Sequence, residues 1–232
     1  MSLQLNYQDS ELFKEFYGRN TEQMPVLLAE NRTHMNTAEL MTRRVGVADS
    51  DLSDVWFNNY FDTGNGILYS EVKTGKVKPV VNNAQILRTL NPKSNLSKGA
   101  LILSPEEYKA IESSEFTREQ LAKYTERSLR KYEVLDNPLW IALANGDVAL
   151  LKQYRDVVFA KAKEKYGYDE NMGLYLANNQ KKPTMRFWTI DCLNFISGAN
   201  GDSNNLDNRR GRLVGLKSEV QSDAKNLEKI VE

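Results

Sequence analysis

The chain holds one cysteine and one histidine in 232 residues. With Cys192 alone, an intramolecular disulfide is impossible and a cysteine-based zinc site has no ligand set. Such sparing use of cysteine fits a reducing compartment, and the cytoplasm is the expected location. With His34 alone, paired-histidine metal motifs are excluded, and a Ser-His-Asp or Cys-His centre would have to use that residue. Neither GxxxxGK[ST] nor GxGxxG occurs, so no glycine-rich phosphate loop is expected. No charge sign is in excess: Lys plus Arg is 31 and Asp plus Glu is 31. A dedicated nucleic-acid binder normally carries surplus positive charge, because phosphate contacts supply most of its affinity. No apolar run approaches the roughly 18 residues of a membrane span, and the opening MSLQLNYQDSELFKEF lacks the basic flank and apolar stretch of a signal peptide. These absences predict a soluble protein with no membrane partner, no metal and no cofactor.

What is present is a series of capped helices and one clear hairpin. Asp9-Ser10 precedes a helical pattern closing at Gly18. Asn36 and Glu39 form a capping box for AELMTRRVG, closed by Gly46. Asp49-Ser50-Asp51 opens LSDVWFNNYF, with Leu52, Val55, Trp56 and Tyr60 at helical spacing. DTGNG (62–66) then breaks the helix, its glycines free to take positive φ. Residues 67–72 and 77–81 read as a hairpin turning at Thr74-Gly75, with Pro79 confined to a sheet edge. AQILRTL (84–90) reads as a short helix stopped by Pro92, and ALIL (100–103) as a short strand. Ser104-Pro105-Glu106-Glu107 is a helix start. From Thr117 to Asn178 the signal is helical: a helix from the Thr117/Gln120 box to about Val134, another after Asn137-Pro138, a long one from Asp147 to Gly167, and a short one to Ala177. TMRFWTIDCLNFIS (184–197) is the most apolar segment, and its length favours a buried helix. After a Gly/Asn/Asp loop at 199–212, Leu213, Leu216, Val220, Leu227 and Ile230 take heptad positions of an amphipathic helix, a surface for a homo-oligomer or protein partner at 213–232.

The expected fold is therefore α+β but mostly helical. A region at 1–115 would hold a small β-hairpin or sheet, and a helical bundle would occupy 116–232.

Phe61-Asp62-Thr63-Gly64 resembles the Asp-Thr-Gly signature of aspartic proteases, in which two carboxylates share a proton and activate water. The chain has no second copy, so a hydrolase would need Asp62 from each half of a homodimer, with Leu213-Val214-Gly215 as the downstream segment. Helix 37–45, helix 51–61 and hairpin 67–81 resemble a winged helix-turn-helix across 36–81. Lys73, Lys76 and Lys78 would sit on its wing, but its recognition helix carries Asp49, Asp51 and Asp54 and no base. Arg209, Arg210 and Arg212 form the densest basic cluster, able to grip a phosphate or an acidic partner. Lys123, Arg127, Arg130 and Lys131 interleave with tyrosines, but Glu119, Glu126 and Glu133 are spaced to pair with them. Asp202, Asn204 and Asp207 resemble the start of an EF-hand loop without its glycine and terminal glutamate. The best reading is a soluble, non-catalytic binding or accessory protein. DNA binding through 36–81 and hydrolysis at Asp62 are the alternatives. Trp56, Tyr60 and Tyr69, with Arg209, Arg210 and Arg212, are the candidate binding residues.

Overall fold

The computed structural model describes residues 7–81, 84–202 and 205–217. Helix α1 (Tyr7–Leu12) leads into strand β1 (Phe13–Gly18), followed by α2 (Asn20–Ala29), β2 (Arg32–His34), α3 (Thr37–Gly46) and α4 (Ser53–Phe57). Strands β3 (Phe61–Tyr69) and β4 (Lys76–Val80) come next. Short elements then alternate: α5 (Gln85–Arg88), β5 (Leu96–Ser97), β6 (Ala100–Ile102), α6 (Pro105–Ala110), β7 (Phe116–Thr117), α7 (Arg118–Leu121) and β8 (Arg127–Arg130). Helices α8 (Pro138–Leu143) and α9 (Val148–Tyr166) precede β9 (Glu170–Tyr175), β10 (Thr184–Ile190), a 3-10 turn at Leu193–Phe195, β11 (Ala199–Asn200) and β12 (Gly211–Lys217).

The strands form two sheets. In the three-stranded sheet the order is β1-β12-β2, so the first and last described strands pair antiparallel, from Phe13 opposite Leu216 to Gly18 opposite Gly211. The nine-stranded sheet runs β7-β4-β3-β10-β11-β9-β8, with the β5–β6 pair attached to β10. Strand β3, from the first half of the sequence, thus lies directly against β10 from the second.

The expectation of a mostly helical chain with a C-terminal bundle is overturned by these sheets. Residues 184–190 are a strand, and every one of them is buried. Met185 and Phe187 enter one hydrophobic cluster with Met24, Leu27, Leu87 and Leu213. Trp188 and Ile190 enter the other, with Trp56, Trp140, Leu151, Tyr154 and Val158. A strand covered on both faces shows a continuous apolar run rather than alternation, and so imitates a buried helix. The start of the supposed heptad at 213 is likewise strand β12: Leu213 faces one cluster while Val214 and Leu216 face the other, a period of two. The remainder of that expected partner helix, 218–232, lies outside the described residues. The helix expected from 117 to 134 is a single turn, α7, between two short strands, β7 and β8. The pattern expected as one helix up to Gly18 divides into α1 and β1.

Locally encoded features stand as expected. Asn36 and Glu39 make a reciprocal capping box on α3, and Ser104 and Glu107 make one on α6. Asn137 caps α8, while Asp147 caps α9 and Gly167 ends it at φ +74°. Gly75 turns the β3–β4 hairpin at φ +60°. Strand β4 is not the edge strand expected, since β7 pairs with its Lys76 and Val77, but Pro79 pairs with Ile67 on one side and lies beyond the reach of β7 on the other.

Candidate functional site

The segment Phe61-Asp62-Thr63-Gly64-Asn65-Gly66 is part of β3, within the sheet and not a turn. Gly64 and Gly66 are absent from the residues with positive φ. Their reason is close approach. A Cβ on Gly64 would lie 2.9 Å from the His34 carbonyl oxygen, and one on Gly66 would lie 2.2 Å from Met185 Cε. The Gly64 amide donates to the Met35 carbonyl at 2.7 Å, and the Thr37 amide donates to Asn65 Oδ1 at 2.6 Å. Thr63 Oγ1 donates to the Trp188 carbonyl at 2.9 Å. This stretch ties the loop before α3 to the large sheet.

Asp62 is buried and accepts hydrogen bonds from Asn20 Nδ2 at 2.9 Å, Thr189 Oγ1 at 2.7 Å and the Arg212 amide at 3.0 Å. Burial pushes its carboxyl above the usual carboxylate range, and these donors pull it back down. These donors, an amide, a hydroxyl and a backbone N–H, all come from this chain and reach both carboxylate oxygens. His34 Nε2 lies 2.7 Å from the Asp62 carbonyl, which can only accept, so Nε2 carries the proton. Burial holds the imidazole down at about 4, against the pull of that hydrogen bond.

The basic cluster at 209–212 separates in space. Arg209 and Arg210 are exposed, whereas Arg212 is buried. Arg212 Nε sits 2.8 Å from Glu15 Oε1, its guanidinium lies between the rings of Tyr17 and Tyr60, and it donates to Asn59 Oδ1. Of the candidate aromatics, Trp56 and Tyr69 are fully buried. Tyr69 donates to the Gly201 carbonyl and accepts from the Ala177 amide. Tyr60 stands partly exposed and donates to the Arg210 carbonyl. Burial, and then the neighbouring Tyr17, push its phenol up to about 12. The helix expected to read DNA, 51–61, is reduced to α4 at Ser53–Phe57 with Trp56 and Phe57 inward, and the wing is the β3–β4 pair inside the sheet. Among the described residues, no group of three or more His, Cys, Asp or Glu is placed to hold a metal ion.

Tyr60, Arg210 and Asp191 are instead brought together on one face, built by the long connection from β10 to β12. A cleft of about 300 Å³ lies between Tyr60, Thr189, Asn205, Asn208 and Arg210, with Asp62 beneath. A second, of about 390 Å³, lies between Tyr175, Asn194, Phe195, Asn200 and Asp202. Asp191 lines both. Burial raises its carboxyl to about 7, opposed by the Arg44 guanidinium. Arg44 is itself fully buried and donates to four oxygens: the Trp56, Asn59 and Asp191 carbonyls and the Tyr154 hydroxyl. It thereby fastens α3 and α9 to the base of the face.

Phe195 is 67 % exposed, the highest value among the described large apolar side chains. The backbone beside it is strained: Ile196 and Ser197 take φ of +59° and +42°, a region that costs a β-branched residue on the order of 1–3 kcal/mol. The turn is held by the Ser197 amide on the Cys192 carbonyl at 3.1 Å and by the Met172 amide on the Ile196 carbonyl at 2.8 Å. Sequence reasoning missed Asp191, Asn194 and Phe195, having placed 184–197 in a buried helix, and Tyr175, having placed it in a short helix to Ala177 where the chain forms strand β9. The signal that was there is the density of Asn, Asp, Gly and Ser from 191 to 208, the mark of an exposed connection.

No family model matches the sequence, and no curated protein matches it. Among solved structures, the chain is similar to one described as the accommodation of massive sequence variation in Nanoarchaeota by the C-type lectin fold. That likeness has a TM-score of 0.64 at 17 % identity and covers 88 % of this chain and 97 % of that one. At this identity it establishes the fold: the chain takes an α+β, C-type lectin-like fold.

Proposed function

We propose that this chain is a binding protein whose ligand surface is the face formed by the connection from β10 to β12, together with Tyr60 and Tyr175. The observation that carries the reading is Phe195. A large apolar ring held two-thirds exposed beside a strained turn, at the margin of the second cleft, is placed to meet a ligand. The composition of the face agrees. Asn194, Asn200, Asn205 and Asn208 with Tyr60, Tyr175 and Arg210 resemble the adaptable polar and aromatic set of binding loops. The frame beneath is separate in its residues: Asp62, Arg212, Arg44 and Thr189 hold the fold, while the exposed side chains above contribute little to the core.

The similar solved structure is described as accommodating massive sequence variation, and that tolerance is carried here to the exposed positions 194, 195, 205, 208 and 210. Substitutions there alter what the surface meets without removing core contacts.

Glycan and protein arrays probed with the wild type and with the N194A/F195A double variant test the reading. Specific signals are expected to fall by tenfold or more, about 1.4 kcal/mol, in the variant, with its thermal midpoint close to wild type. Signals that persist at full strength in the variant overturn it.

A further inference from the structure

The second cleft has a lining of one sign. Its charged residues are Asp191 and Asp202, its amides are Asn194 and Asn200, and its rings are Tyr175 and Phe195. Among the described residues, no lysine or arginine lines it. Among the described residues, neither Asp191 nor Asp202 forms an ion pair within 4 Å, although the Asn200 side chain hydrogen-bonds the Asp191 carboxyl. Arg44, the basic group whose charge reaches Asp191, donates to that residue's carbonyl and not to its carboxylate. The groups bearing on Asp191 are therefore Arg44 from α3, Asp62 from β3 and Asp202 from its own loop.

Gly198 locates the pair of groups that matter. A Cβ placed there would lie 3.4 Å from Tyr175 Cε2 and 3.6 Å from Asp191 Oδ2. The Tyr175 ring and the Asp191 carboxylate thus flank the same small space, with the exposed Phe195 ring at its margin. A carboxylate beside aromatic rings is complementary to a cation carrying an apolar stem: the charge meets the carboxylate and the π faces, and the methylenes lie on the rings.

Resting on the reading of this face as a ligand surface, we propose that the cleft between Asp191, Tyr175 and Phe195 takes a cationic side chain, lysine ammonium or arginine guanidinium, from a protein partner. A protein is the source because the surface continues past the cleft. Asp191 is shared with the adjoining cleft, where Asn205, Asn208 and Tyr60 offer an extended polar and aromatic rim that a small free amine would leave uncovered. The elevated carboxyl of Asp191 agrees, since a docked cation would supply the compensating charge its surroundings lack.

The test is a titration of the full, ¹⁵N-labelled chain near neutral to slightly alkaline pH with capped peptides Gly-Gly-X-Gly-Gly, where X is lysine, arginine, norleucine or glutamate. Lysine and arginine peptides are expected to shift the amide signals of Tyr175, Asp191 and Phe195. The norleucine and glutamate peptides should bind at least about tenfold more weakly. Asp191→Asn and Phe195→Ala should each weaken the lysine peptide several-fold, while Lys109→Ala, exposed on α6 and outside the cleft, leaves it unchanged. Equal binding of norleucine and lysine peptides, or unchanged binding in Asp191→Asn, overturns the proposal. Butylammonium binding as tightly as the lysine peptide overturns the protein source. Array ligands that depend on Phe195 but not on Asp191 would leave the ligand face standing and remove this inference alone.

Discussion

The Thr189 hydroxyl donates to the Asp62 carboxylate at 2.7 Å, across the pairing of β3 with β10. The register of that pairing shifts between Phe187 and Thr189, and the two side chains meet just past the irregularity. With Asn20 from α2 and the Arg212 amide from β12 on the other oxygen, one carboxylate joins three parts of the fold.

Asp62→Asn should therefore cost stability, not activity. An asparagine offers one acceptor oxygen where donors converge on two, and its own NH₂ would face a donor. The expected loss is about 2–4 kcal/mol, and in a chain of this size each kcal/mol lowers the thermal midpoint by about 2–4 °C. Calorimetry of the variant checks it, and a midpoint within a degree of wild type would refute the junction role.

Arg212 and Arg210 should behave oppositely although two residues apart. Removing Glu15 by Glu15→Leu leaves the buried Arg212 guanidinium without its carboxylate, at an expected cost of about 3–5 kcal/mol. Arg210→Ala, at an exposed side chain, should stay within about 0.5 kcal/mol. Urea denaturation of the two variants makes the comparison.

His34 is the chain's only histidine, so its ring protons can be followed without ambiguity. They should titrate near pH 4, well below the ordinary 6.5. A depressed folded value means the neutral ring is favoured in the fold. Its contribution is complete above about 6.5 and is lost as pH falls through 6.5 towards 4. An NMR midpoint above 6 would contradict the burial of His34 beneath β3.

Asp191 should act with the opposite sign. Its folded value, about 7, lies above the ordinary 3.8. Stability linked to it is fully present below 3.8 and is lost as the pH rises through about 7. Asp191→Asn, which never ionises, should match wild type in acid and exceed it by on the order of 4 kcal/mol above the folded value. Paired denaturation curves at the two pH extremes check this, and a variant less stable than wild type in alkali would rule it out. A charge kept at a cost in stability is what a binding group shows.

The sequence by itself determined what neighbours in the chain decide. Asn36 with Glu39, Ser104 with Glu107, and Asp147 with Gly167 each set a helix end, because the groups they satisfy lie within one turn. Gly75 likewise set the hairpin. The same local signals could not say how far a helix would run: the capping box at Thr117 is real, yet α7 lasts a single turn. Only the tertiary structure decided that residues 184–190 and 211–217 are strands, because their pattern depends on cores covering both faces. The candidate site divides in the same way. Tyr60 and Arg210 were legible as residues to consider, whereas the fate of Trp56, Asp62, Tyr69 and Arg212 was settled by partners tens of residues or more distant, such as Glu15, Asn20 and Thr189. Asp191 and Phe195 come together as a candidate site only because the chain between β10 and β12 is held over Arg44 with its strained turn facing water. That arrangement depends on long-range hydrogen bonds and burial, which no local spacing records.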